Sequence, residues 1–182
     1  MPSLTAFNDQ PHLTGATVSL RPLAVTGFED LYCAASDPAI WEQHPKKDRH
    51  KRPVFEEYFR FLIESGGTLV ATKTTTAKII GCSRYYETAN APNSISIGYT
   101  FLTRDHWGGP TNRAMKTLMF DHAFETFPEV WLHIGTDNLR SQKATEKLGA
   151  VYMGTEPMDI VGSNGEMMCY RLSRAGWRAR AA

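Results

Sequence analysis

"RDHWGGPTNRAMKTLMFDHAFE" (residues 104–125) sets a tryptophan, two adjacent glycines and a proline directly before an amphipathic helix. The periodicity predicts that helix over 112–127. Met115, Leu118, Met119 and Ala123 line one side, and Phe127-Pro128 stops it. A tight turn is one reason for glycines here. The other is chemical: a helix N-terminus carries unpaired N–H groups and a partial positive charge, and can hold a phosphate.

Working outward, "ISIGYTFL" (95–102) reads as a strand before this segment and "VWLHIGT" (130–136) as one after it. "NLRSQKATEKLG" (138–149) follows as a helix closed by Gly149, a left-handed cap. Upstream come the strand "TVSLRPL" (17–23) and the helix "TGFEDLYCAAS" (26–36), with Thr26 and Glu29 at capping-box spacing. A polar connection (42–52) leads to the helix "PVFEEYFRFLIES" (53–65), with Phe55, Phe59 and Leu62 on one face and Gly66-Gly67 at its end. "TLVATK" (68–73) and "AKIIGCSRYYE" (77–87) are strands, and "NAPNS" (90–94) breaks the chain. "AVYMGTEPMDIV" (150–161) and "EMMCYRLS" (166–173) form a terminal strand pair around "GSNG". The order is β-α-α-β-β-β-α-β-α-β-β: an α+β pattern with a mixed sheet, and not a doubly wound one. The helix crossing from "ISIGYTFL" to "VWLHIGT" makes those two strands a parallel pair.

With 20 basic and 19 acidic residues among 182, the net charge of +1 gives no sign of a nucleic-acid binder. "KKDRHKR" (46–52) lacks interleaved aromatics and reads as a solvated loop. Cys33, Cys82 and Cys169 form no metal or disulfide pattern and read as free thiols in a reducing cytoplasm. No membrane span or signal peptide is expected. Residues 1–16 read as a leader to a single domain. The six histidines show no ligand spacing, so no metal is expected. GxSxG, GxGxxG and GxxxxGK[ST] are all missing.

"W-G-G" at the central helix start and "D-N-L-R-S-x-x-A-x-E-K-L-G-A" after the next strand resemble the GNAT acyltransferases. More narrowly they resemble the ribosomal-protein N-terminal acetyltransferases of the RimJ/RimL type, roughly from Thr17 to Ser173. The resemblance implies a splayed mixed sheet of about seven strands flanked by about four helices, with acetyl-CoA in the wedge between the two parallel strands. It implies that the backbone of Phe101, Leu102 and Thr103 pairs with pantetheine, and that N–H groups from Gly108 and Gly109 through Thr111, Asn112 and Arg113 hold the pyrophosphate. Arg113 and Lys116 would add positive charge, or else form a solvated helix face. The Asn138 amide would contact the pantetheine or diphosphate arm, or act only as an N-cap. The Ser141 hydroxyl would protonate the departing thiolate, or be a plain exposed serine.

The chain departs from the family pattern at three positions. Asp105 stands at the first position of the usual Gln/Arg-x-x-Gly-x-Gly/Ala loop, where it is expected to face solvent. Pro110 replaces a glycine and removes one donor. Ser96 stands where a glutamate base is usual. Glu42, His44 and His133 are the candidate substitutes, although His133 also reads as a packed structural histidine. Trp41 reads equally as core or pocket wall. The implied reaction is direct transfer of acetyl from acetyl-CoA to a primary amine, either a protein N-terminus or a small molecule. The rival reading is an inactive acyl-CoA-binding or sensing module. The oligomeric state is open, a homodimer included.

Overall fold

The computed structural model describes residues 7–88, 91–160 and 163–181. One eight-stranded sheet runs through it in the order β1-β2-β3-β4-β5-β6-β8-β7. In chain order the strands are β1 (Leu13–Thr14), β2 (Val18–Pro22), β3 (Thr68–Lys73), β4 (Ile79–Tyr86), β5 (Ser94–Leu102), β6 (Glu129–Gly135), β7 (Val151–Ile160) and β8 (Ser163–Ser173). The helices are α1 (Phe28–Ala35), α2 (Arg52–Glu64), α3 (Thr111–Thr126), α4 (Leu139–Lys147) and α5 (Arg174–Ala181). The expected α+β mixed sheet is present. Within these residues it has one more strand and one more helix than expected. β1 falls in the segment read as a leader, and α5 lies beyond the expected core. Of the expected strand end and turn, residues 161 and 162 lie outside the described residues, and β8 begins at Ser163, within the expected "GSNG" turn (162–165).

All neighbouring strands are antiparallel except β5 and β6. That parallel contact is short: Ser94, Ile95 and Ser96 pair with Glu129, Val130 and Trp131, and nothing beyond is paired. β5 stays on β4 to Leu102, while β6 stays on β8 to Gly135. The sheet therefore opens into a gap between the C-terminal halves of its two parallel strands.

A bulge in β5 produces the divergence. The register shifts between Cys82 and Arg84, so Ser83 faces an extra residue, and Tyr99 takes the left-handed φ of 52°. Side-chain alternation reverses there. Ile95, Ile97 and Leu102 join the core under α3, whereas Tyr99 and Phe101 pack with the core under α1 and α2.

Two local expectations are corrected and one open alternative is decided. The Thr26–Glu29 capping box does not form, since α1 starts after Gly27 without a side-chain cap. Glu29 instead makes a bidentate bridge to Arg52 at 2.9 and 2.6 Å. The basic run is not merely solvated: Lys47–His50 form a 3-10 turn, and Arg49, 5% exposed, lies over the Tyr58 ring at 3.9 Å. Trp41 is core, donating from Nε1 to Ala35 O.

α5 is held by Trp177. Its ring packs edge-on against Phe120, and its Nε1 donates to Asp121 Oδ1 at 2.7 Å. Trp177→Ala is expected to lower stability by about 3 kcal/mol, read as a fall in urea midpoint at unchanged m-value. A change below about 0.5 kcal/mol would mean that α5 is an appendage.

Candidate active site

Both helices that follow the parallel strands begin at the open end of the gap. α3 starts after Pro110 with no side-chain cap, and Ala114 is the first residue to donate back, to Pro110 O at 2.8 Å. The N–H groups of Thr111, Asn112 and Arg113 therefore have no acceptor within the helix. Pro110 is the N-cap, one position earlier than a proline at the first helical residue. Gly108 needs its glycine for a φ of 66°, and a Cβ on Gly108 or Gly109 would meet nothing within 4 Å. Open space, free N–H groups and a first turn without acidic residues fit a diphosphate. Asp105 is exposed, as expected.

Of the two positive side chains expected in this turn, Arg113 is exposed but Lys116 is not. Lys116 turns inward and is buried at 5% exposure, so it is not part of a solvated phosphate-facing surface. The helix stripe explains this. Met115, Met119, Phe120 and Ala123 are buried, and position 116 falls within the same face.

The side chains of Phe101 and Leu102 are buried in opposite cores. Thr103 N–H donates to Ile80 O at 2.8 Å, toward β4. Backbone alternation then turns the polar groups of Leu102 toward the gap. Its carbonyl is taken by Trp107 Nε1 at 2.9 Å, leaving the N–H as the group available to an extra strand. Thr103 Oγ1 bonds His106 Nδ1 at 2.9 Å.

Asn138 caps α4, with Oδ1 accepting from Ser141 N–H at 3.2 Å. The cap uses only the amide oxygen, so the amide NH2 can still serve a ligand. Ser141 is half-buried in the first turn. Two residues that the sequence reading passed over fix this region. Gln142 is buried and donates to Gly135 O and Thr136 O, holding the turn from β6 into α4. Arg140 stacks on Trp107 at 3.8 Å and donates to Ile40 O at 3.0 Å, while its own N–H donates to Gln43 Oε1. The "DNLRS" motif contained Arg140, but nothing in its spacing pointed to Trp107.

The Arg140 contacts bring residues 40–45 to the mouth of the gap, and Pro45 lies 3.6 Å from where a Gly135 Cβ would stand. Glu42 is exposed beside Arg140. His44 meets Arg49 Nη1 at 3.0 Å and the Lys46 N–H at 3.0 Å. Burial, with Arg49 adding, pushes its pKa down to about 3, so the ring is neutral. His133 bonds Tyr86 OH at 2.8 Å, and burial lowers it to about 4. Ser96 is fully buried and its hydroxyl bonds Thr88. Among the described residues no group of three His, Cys, Asp or Glu is placed to hold a metal.

The GNAT acetyltransferase domain model matches residues 17–151. The chain belongs to the GNAT acetyltransferase family. Solved structures agree in fold. A GCN5-related N-acetyltransferase from Brucella melitensis superposes with TM-score 0.77 at 18% identity, covering 93% of this chain and 81% of that one. A probable GNAT-family acetyltransferase from Chromobacterium violaceum gives 0.79 at 18%, with 98% and 96% covered. Mycobacterium smegmatis RimJ in complex with CoA-disulfide gives 0.65 at 15%, with 87% and 82% covered. A search of curated proteins finds no match. The family's co-substrate is acetyl-CoA, and no described helix is long and apolar enough to cross a membrane.

Gly109→Ala is expected to change stability by less than about 0.5 kcal/mol, because the added methyl meets no protein atom. CoA affinity, measured calorimetrically, should fall at least about tenfold. Unchanged affinity would make the loop a plain turn.

The buried imidazoles predict acid sensitivity. His44 and His133 take up protons near 6.5 when unfolded, but when folded only near about 3 and about 4. Between these values the unfolded state binds more protons, so stability is lost as pH falls below 6.5. Replacing both by Gln should flatten the fall of melting temperature between pH 6.5 and 4.5. Each ring contributes at most about 1.4 kcal/mol per pH unit.

Proposed function

We propose that this GNAT protein transfers acetyl from acetyl-CoA to a primary amine by direct attack, with a protein N-terminus or a small-molecule amine as acceptor. The observation that carries the reading is the uncapped start of α3 beside a sheet gap bordered by unpaired β5 backbone. The resemblance of "DNLRS" and its surroundings to the RimJ/RimL branch favours the N-terminal acceptor. The fold likeness to a RimJ described with CoA-disulfide is consistent with it.

In this reading the N–H groups of Gly108, Gly109, Thr111, Asn112 and Arg113 take the diphosphate, and Leu102 N–H takes a pantetheine carbonyl. Phe101 and Thr103 fix the strand that presents it, and Asn138 donates its amide to the same arm. Ser141, one turn into α4, supplies a proton to the departing sulfur. Glu42 draws the cationic amine to the mouth, and neutral His44 shapes the wall beside it. The three free thiols support a reducing compartment such as the cytoplasm.

Acetyl-CoA at 100 times its Kd should add about 2.7 kcal/mol of stability, seen as a raised melting temperature, while NAD and ATP should leave it unchanged. CoA release with an N-terminal peptide or a simple primary amine should rise between about pH 6 and 9. No shift at millimolar acetyl-CoA would remove the cofactor assignment. Binding without CoA release across a broad amine screen would make the protein a non-catalytic acyl-CoA-binding module.

A further inference from the structure

Lys116 enters the core from α3 and ends beneath the β5 bulge. Its Nζ lies 2.8 Å from Thr100 Oγ1 and 3.1 Å from Ser83 Oγ, and these two hydroxyls are 2.7 Å apart. Ser83 Oγ also lies within donating distance of Gly98 O, at 3.3 Å. Among the described residues no carboxylate lies within ion-pair distance of Lys116. A buried ammonium without a counter-charge is costly, so the site favours the neutral amine.

The cluster reaches the surface at Thr100. Lys116 and Ser83 are buried, at 5% and 0% exposure, but Thr100 is exposed. Thr100 also lies on the stretch of β5 that has left β6, bordering the gap where the resemblance sets the thioester. Its hydroxyl thus joins the buried amine to an exposed residue on the edge that borders the gap. As an ammonium, Lys116 donates to both hydroxyls. As an amine it has one lone pair, and can accept from one of them.

We propose that Lys116 is the proton acceptor for acetyl transfer, connected to the gap through the Thr100 hydroxyl. This rests on the acetyl-transfer reading above and supplies the base that neither Ser96 nor the two low-pKa histidines offers. Starting from a neutral acceptor amine, the N–C bond forms as nitrogen attacks the thioester carbonyl. The C–S bond then breaks, with its electron pair on sulfur. The nitrogen proton passes to Thr100 Oγ1 while the Thr100 proton passes to Lys116 Nζ. The thiolate takes a proton from Ser141, which is resupplied by solvent, and Lys116 returns its own proton to solvent.

The ionisation of Lys116 suits this role. Burial pulls it down to about 7, with Cys82 opposing. The elements around α3 also carry Arg21 on β2, Arg84 on β4, Tyr99 on β5, and Glu129 and His133 on β6. Tyr85 on β4 also reaches α3, donating to Met119 O. Cys82 on β4 is the side chain that opposes the shift, and burial raises that thiol to about 12, so near neutrality it is uncharged and burial sets the direction.

The test uses the full chain labelled with carbon-13 at lysine Cε. The Lys116 signal is assigned by its loss in Lys116→Met and followed through a pH titration, alongside the pH profile of kcat. The expected result is titration near 7, matching the midpoint of the acid limb of kcat. Thr100→Val should lower kcat about 10²-fold with acetyl-CoA affinity unchanged and Lys116 still titrating. Lys116→Met should abolish the acid limb. If that variant does not fold, assignment by elimination from the other lysines, together with Thr100→Val, decides. Titration at the ordinary lysine value near 10.4, or an acid limb unchanged in both variants, would overturn the proposal. Bound acetyl-CoA with no turnover in the wild type, but Lys116 titrating near 7, would overturn both the activity and the base role. Lys116 would then only fasten the bulge.

Discussion

The structure depends on the early parting of two parallel strands. Three residue pairs join β5 to β6, and through them the two halves of the sheet. A parallel pair normally continues to the strand ends, because each lost rung leaves backbone N–H and C=O groups without partners. Here the bulge at Tyr99 turns β5 away while keeping it hydrogen-bonded to β4. A left-handed tyrosine costs on the order of 1–2 kcal/mol. The surrounding contacts offset it: Ser83, Thr100 and Lys116 on one face, and Tyr58, Phe61 and Tyr86 on the other. The unpaired edge so produced can be satisfied by a ligand laid along it.

The same parting sets the electrostatics. Each of the two strands leads into a helix at the open end, so the positive ends of two helix dipoles meet there. Acidic residues usually gather in first turns because they stabilise them. Neither α3 nor α4 has one. Leaving both starts uncompensated gives up roughly 0.3–1 kcal/mol for each missing charge, and it preserves the field for an anion from outside.

Much of this was legible in the sequence. The succession of elements, the glycine start of α3, the cap at Asn138 and the left-handed Gly149 rest on short-range chemistry, and short-range chemistry is written in neighbouring letters. The bulge was not legible. "SISIGYTFL" alternates smoothly, and the reversal at Tyr99 is imposed by β4 and α3, which are distant in sequence. Lys116 was misread for a related reason. Its charge suggested solvent, while its position on the stripe of Met115, Met119 and Phe120 placed it inside. The pattern outranked the charge because two hydroxyls from β4 and β5 stood ready to receive it. The packing of Trp177 was not legible because a strand pair already completed the expected sheet, so an aromatic beyond it had no predicted surface to cover.

The two motifs that identify the family lie apart in sequence, yet they form one mechanical unit. Trp107 is held by Leu102 O on its indole edge and by Arg140 across its face. Arg140 in turn grips Ile40 and Gln43, so α4, the loop before α3 and the segment bearing Glu42 and His44 share one fastening. Arginine suits this place because a planar guanidinium can stack and donate in its own plane at once, which a lysine cannot. On the proposed reading, movement of the loop before α3 therefore passes to residues 40–45 at the acceptor side. In a ternary-complex reaction that linkage has a use, since occupation of the first site can bias the geometry of the second. Its physical carrier would be the Trp107–Arg140 stack, whose two partners come from the starts of the two helices that the strand gap brings together.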